Sequence, residues 1–184
     1  AATMVKNLME ETFFSGWGIR TIANSQPRYN PMSYHNGTIW PHDNSLIGYG
    51  MGRYGYKKEA VKILSALFEA ASHIDLRRLP ELYCGFTRRS GEGPTMYPVA
   101  CDPQAWASGS VFLLIQACLG ITIEAKERRI TFKEPTLPKE IDTLTIRHIK
   151  VGDAEIDITL HNHEHDVGIT VLAKRGDVEV ITIR

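Results

Sequence analysis

The spacing of apolar residues changes at Gly120, and this limits what the chain can fold into more than any other feature. Before Gly120 apolar positions recur every three to four residues; after it they alternate. Such a chain is mainly helical with a separate small β region at its C-terminal end. We expect residues 1–120 to form a helical domain and residues 121–184 a small antiparallel sheet or sandwich.

Within the helical part, Thr3 to Glu11 is a short amphipathic segment, the tail of a helix. A second helix is expected near residues 42–54, with Pro41 at its first turn, Leu46 and Ile47 in its apolar run and Gly55 as its stop. Gly48, Gly50 and Gly52 each cost about 1 kcal/mol against alanine inside a helix. They make sense if this helix packs closely on a neighbour. Lys57 to His73 has the clearest period: Ala60, Leu64, Leu67, Phe68 and Ala71 share one face, with Lys57, Lys58, Glu59 and Lys62 turned away. The last expected helix runs over 103–119, with Asp102 as N-cap, Pro103 in its first turn and Gly120 as its stop. Its interior from Val111 to Leu119 is apolar almost all round, the pattern of a helix buried on most sides.

After Gly120, Ile121–Glu124 and Arg129–Phe132 read as a hairpin around Lys126-Glu127-Arg128. Further strands are expected at 143–151, 156–160, 167–173 and 178–183, with turns at Gly152-Asp153 and Gly176-Asp177. Composition excludes several classes of partner. The 21 basic and 21 acidic side chains balance and form no basic stripe, so neither nucleic acid nor an anionic membrane is indicated. No apolar run reaches the roughly 20 residues that cross a bilayer. The chain opens Ala-Ala-Thr-Met-Val-Lys, without the pattern of a signal peptide, and reads like the interior of a longer protein. Cys84, Cys101 and Cys118 are odd in number and lack metal-ligand spacing, which favours free thiols in a cytoplasmic protein.

The distinctive chemistry lies in the connections between helices, about 30 residues from Thr12 to Trp40 and about 25 from Ile74 to Cys101. Tyr34-His-Asn-Gly-Thr-Ile-Trp-Pro-His-Asp-Asn44 gathers rings, amides, imidazoles and a carboxylate. Leu79-Pro-Glu-Leu-Tyr-Cys-Gly-Phe86 and the stretch Pro98 to Trp106 add two more clusters. A sugar stacks its C–H faces on aromatic rings and pairs its hydroxyls with amides and carboxylates, so these clusters point to carbohydrate.

Four of these segments resemble a known family. Ser15-Gly-Trp-Gly-Ile-Arg-Thr21, Tyr34 to Asn44, Glu81-Leu-Tyr-Cys-Gly-Phe86 and Tyr97 to Trp106 are similar, in order, to the C-terminal part of bacterial amylo-α-1,6-glucosidase of the glycogen debranching type. That family belongs to the six-hairpin glycosidases, whose catalytic domain is an (α/α)6 barrel. The resemblance implies the last helices of such a barrel followed by a small β domain, in a C-terminal fragment of a hydrolase for α-1,6-linked glucose in glycogen-type glucans. No cofactor is implied. Half a barrel would also leave apolar helix faces open to self-association.

Many six-hairpin glycosidases invert the anomeric centre, using a protonated carboxyl for the leaving oxygen and an ionised one that activates water. By resemblance Glu81 is the base, ahead of the last helix, and the acid is an aspartate upstream of Ala1. The isolated chain would then be inactive. On its residues alone, Glu81 can equally be a loop glutamate paired with Arg77, Arg78 or Arg88. Asp43 reads as a substrate-positioning group or as a helix-start carboxylate stabilised by the dipole. Trp40, Trp106 and Trp17 are the candidate sugar contacts, with core packing as the other reading of each. His42 and Asn44 can bind hydroxyls or fasten the loop, Gln104 can reach into a site from its helix start, and Arg20 can clamp loop carbonyls.

Two patterns carry little. His161, His163 and His165 alternate as metal ligands can, but a solvated turn explains them. Gly48-x-Gly50-x-Gly52 lies inside a helix, not after a strand, so it is no phosphate loop. Two rival functions remain open: a six-hairpin hydrolase for another glycoside, such as trehalose, mannosylglycerate or an unsaturated oligosaccharide, and a non-catalytic sugar-binding or assembly module.

Overall fold

A computed structural model describes residues 1–184. Four α-helices precede two three-stranded sheets, so the chain is mixed α and β, helical first and with a C-terminal β region, consistent with the change of patterning at Gly120. Two compact units divide between Ile115 and Gln116, inside the last helix.

The first unit holds α1 (Ala2–Leu8), α2 (Pro41–Arg53), α3 (Lys57–Ser72) and most of α4 (Ala105–Leu119). Pro41 opens α2, where its missing N–H costs no bond. A β-carbon on Gly48 would lie 2.5 Å from Leu114 Cδ2, so α2 does pack closely against α4 at that glycine. Gly50 has no such neighbour within 4 Å. On α3 the buried stripe is Ala60, Ile63, Leu64, Ala66, Leu67 and Ala70. Two expectations fail here. Phe68 is 65% exposed, and Lys57, expected to face away, is buried. The stripe is rotated toward Ile63 and Ala70, a shift that leaves the periodicity intact.

Helix α4 also departs from expectation. It begins at Ala105, not 103, and Asp102 is not its N-cap: the Ser108 amide bonds the Gln104 carbonyl. The preceding backbone is committed elsewhere, because Cys101 is bonded to Glu81 through both its carbonyl and its amide. Nor is the helix buried all round. Ala107, Ser110, Leu114, Ala117 and Cys118 form one buried stripe, while Phe112 is 76% exposed. A groove of about 350 Å³ runs between α3 and α4 beside Phe68 and Phe112.

The irregular segments are stitched together by single bridges, Arg20 to Ile39, Ile39 to Tyr83 and Tyr83 to Met96. Ile39 and Tyr83 exchange both backbone bonds, at 2.9 and 3.0 Å. Side chains satisfy the rest. The buried Arg20 donates to the Gly85 carbonyl at 2.7 Å, to the carbonyls of Glu11, Thr12 and Phe13, and to the Thr87 hydroxyl. It is the clamp its sequence setting suggests.

The second unit contains both sheets. In one, β1 (Ile121–Glu124) pairs antiparallel with β2 (Arg129–Lys133), as expected of the hairpin. β2 then pairs parallel with β6 (Glu179–Ile183), which corrects the all-antiparallel expectation. No hairpin joins those two strands; the other sheet intervenes in sequence, and a connection of that length permits parallel pairing. That sheet orders β3 (Thr143–Val151), β4 (Ala154–Asn162) and β5 (Val167–Arg175), all antiparallel. Gly152 takes the β3–β4 turn at a φ of 60°. A bulge between Ile146 and Ile149 contains His148, whose amide bonds Asp157 Oδ1 at 2.7 Å. His163 and His165 lie exposed at the β4–β5 turn.

Candidate functional site

Glu81 is 8% exposed and held on three sides. Its amide donates to the Cys101 carbonyl at 2.9 Å, fixing the backbone. The Tyr34 hydroxyl donates to Oε1 at 2.6 Å, and the Cys101 amide donates to Oε2 at 3.3 Å. None of these partners is cationic. Arg88 pairs with Glu69 instead, which removes one arginine that the bland reading offered to Glu81.

The Tyr34 bond holds the Glu81 carboxyl below its ordinary pKa, against burial that pushes the other way; Cys101 and the Gln104 side chain assist. Charge-assisted O–H···O⁻ bonds of this length are among the stronger ones. Reciprocally, the same bond pushes the Tyr34 phenol up to about 12. Glu81 is therefore an ionised carboxylate near neutral pH, the state required of a base and the wrong one for an acid.

Rings enclose this carboxylate's partner. Tyr34 meets Trp40 edge-on with centroids 4.8 Å apart, Tyr97 at 5.7 Å and His35 at 4.8 Å. Trp40 is nearly buried and spends its indole N–H on Thr38 Oγ1 and the Tyr34 carbonyl. Two residues on, His42 stacks on Trp106 at 4.4 Å with the planes 10° apart. Trp106 is 50% exposed, unlike Trp17 and Trp40, which belong to the core. Gln104 precedes it on the same helix start. The segments 34–42, 79–83 and 97–106 thus converge on Glu81.

Other sequence candidates take different places. Asn44 is fully buried, its Oδ1 accepting from the Ile19 amide at 2.7 Å and its Nδ2 donating to the Ile19 and Trp40 carbonyls. It fastens the loop, leaving no group for a hydroxyl. Trp17 is 3% exposed, with the Arg88 guanidinium 4.5 Å over its ring and His73 at its edge, so it packs instead of forming a platform. Asp43 is half exposed on the first turn of α2, 3.6 Å from His42 Nδ1.

Sequence reasoning missed Tyr34 and Cys101 as neighbours of Glu81, and Tyr97 as a ring packed against Tyr34. Tyr34 stands 47 residues from its carboxylate, and nothing local marks the pairing.

Residues 1–94, just over half of the chain, match the family model of the mannosylglycerate hydrolase MGH1-like glycoside hydrolase domain. The chain belongs to that family. It is a glycoside hydrolase domain by family, and the match includes Tyr34, Trp40, Asp43 and Glu81. It does not single out the amylo-α-1,6-glucosidases. No curated protein matches the chain. No helix of this glycoside hydrolase chain is long and apolar enough to cross a membrane.

Proposed function

We propose that this chain carries the base half of an inverting glycosidase site, with Glu81 removing a proton from the water that attacks the anomeric carbon. The observation that carries the reading is the 2.6 Å bond from the Tyr34 hydroxyl, which keeps a nearly buried carboxylate ionised without a neutralising cation. Inversion also needs a protonated carboxyl on the far side of the sugar, roughly 6.5–9.5 Å away. We assign that role to an aspartate upstream of Ala1, so the chain alone would not turn over. The open face of Trp106, braced by His42, is the proposed sugar platform, and Asp43 a positioning group beside it.

Two substrates are proposed. The four sequence blocks favour α-1,6-linked glucose in glycogen-type glucans, and the family description favours a mannosylglycerate-like glycoside. We place the enzyme in the cytoplasm, because its cysteines are odd in number and lack metal-ligand spacing, as in proteins of a reducing compartment. In the intact protein, Glu81→Gln should lower kcat on the accepted substrate by about 10²–10⁴-fold while substrate still binds. Assays on isomaltose-type glucans and on mannosylglycerate decide between the substrates. Unchanged kcat in the variant would remove Glu81 from the mechanism.

A further inference from the structure

Thr38 is fully buried, and its hydroxyl is bonded in both directions. It donates to the Tyr34 carbonyl at 2.8 Å and accepts the Trp40 indole N–H at 3.1 Å. That indole also reaches the Tyr34 carbonyl, at 3.3 Å. One hydroxyl thus ties the Tyr34 backbone to the ring that meets Tyr34 edge-on at 4.8 Å. The anchor is firm. Its own carbonyl accepts the Thr21 amide at 3.0 Å, and the next residue, Ile39, exchanges both backbone bonds with Tyr83. Tyr34 is only half-buried, with its hydroxyl 2.6 Å from Glu81 Oε1. Valine would match the shape of threonine at position 38, so what the hydroxyl adds is its two bonds.

We propose that Thr38 is a positioning residue for the base: its hydroxyl holds the Tyr34 backbone and the Trp40 ring in the arrangement that aims the Tyr34 phenol at Glu81. Its functional meaning rests on the reading of Glu81 as a base. Thr38 bonds Tyr34 and Trp40, and acts on the carboxylate only through them. A hydrogen bond weakens steeply as its angle and length depart from the optimum. Without the Thr38 hydroxyl both rings gain freedom, the phenol spends less time on Oε1, and protonated Glu81 is favoured. A base must be ionised to take a proton from water, so its working range would begin at higher pH. The other titratable groups facing this pair are the Cys101 side chain beside Glu81, and Tyr97 and His35 against Tyr34. They are the same in every variant below.

The test follows the Glu81 carboxyl itself, by carbon-13 NMR titration of the intact protein labelled at its glutamate carboxyls. The Glu81 signal is the one absent from Glu81→Gln. In Thr38→Val its titration midpoint should rise by about 0.5–1 pH unit, the equivalent of one weakened hydrogen bond. Thr38→Ser keeps the hydroxyl and should titrate with the parent. Thr38→Cys, a weaker donor and acceptor of similar size, should lie between them, and it decides the matter if Thr38→Val does not fold. In a Tyr34→Phe background, Thr38→Val should move the midpoint no further, because its route to Glu81 is gone. A merely structural threonine would lower stability and leave the midpoint where it was. An unmoved midpoint, or an equal shift with and without the Tyr34 hydroxyl, would overturn the proposal. The base reading is tested apart, by the kcat of Glu81→Gln. Full activity there removes the base, whereas an unmoved midpoint removes only the role of Thr38.

Discussion

The loop frame around Glu81 and the β3–β4–β5 sheet satisfy their backbones in opposite ways. The sheet uses strand-to-strand bonds along nine-residue strands, so each contact is one of many alike. The frame has isolated bridges only, and relies on Arg20, Asn44 and the Tyr83 hydroxyl, which reaches the Trp17 carbonyl at 2.6 Å. Irregular backbone can be as well bonded as a sheet, but its dependence is concentrated in a few side chains and close approaches. Substitutions in the frame should therefore be far less forgiving.

The harshest test is Gly85→Ala. Its new β-carbon would fall 1.6 Å from the Gly37 carbonyl oxygen, which is backbone and cannot swing aside. Arg20 and Tyr29 also both bond the Gly85 carbonyl. We expect a loss of more than about 3 kcal/mol in denaturant unfolding, beyond the usual cost of overpacking. A loss below 1 kcal/mol would show the frame to be as forgiving as the sheet.

Tyr34→Phe probes the frame's electrostatics. Without the hydroxyl, the Glu81 pKa rises and the acid limb of the pH–rate profile moves to higher pH. The same sign governs stability. A carboxylate with a depressed folded pKa stabilises fully above its unfolded value and loses that contribution as pH falls through the folded one. Acid titration of the variant should thus show a smaller loss of stability than the parent.

Two glycines on α2 give a controlled pair. Gly48→Ala should destabilise by about 1–3 kcal/mol, since Leu114 is buried and has little room to yield. Gly50→Ala meets nothing within 4 Å and should stabilise by up to about 1 kcal/mol through helix propensity. Equal effects from the two would mean that close helix packing is not what Gly48 provides. The smallest change is expected in the β region. Arg129→Gln breaks an exposed pair with Glu179 and should shift unfolding by no more than about 1 kcal/mol.

How much of this was legible in the sequence follows from the range of each interaction. Helix α3, the Pro41 start of α2 and the β1–β2 hairpin depend on neighbours a few residues apart, and periodicity or turn chemistry reveals them. The face of Phe68 was misjudged because a period gives spacing and leaves the direction of the core open. The β2–β6 pairing joins residues such as Arg129 and Glu179, 50 positions apart, and no local pattern records it. The site divides in the same way. Glu81, Trp40, Trp106 and Gln104 could be nominated by residue type and setting. The Tyr34 bond, and the diversion of Asn44 and Trp17 into the framework, depend on tertiary placement alone.

The bridge between Tyr83 and Met96 closes the base of the segment between them, whose tip at Arg89 to Gly93 is exposed. A tip sealed off at its root can grow without strain reaching what lies below, and each doubling of such a loop costs only about 0.6 kcal/mol. Gly91, with open space around it, is the natural place for inserted residues, and an insertion there should leave Glu81 in register.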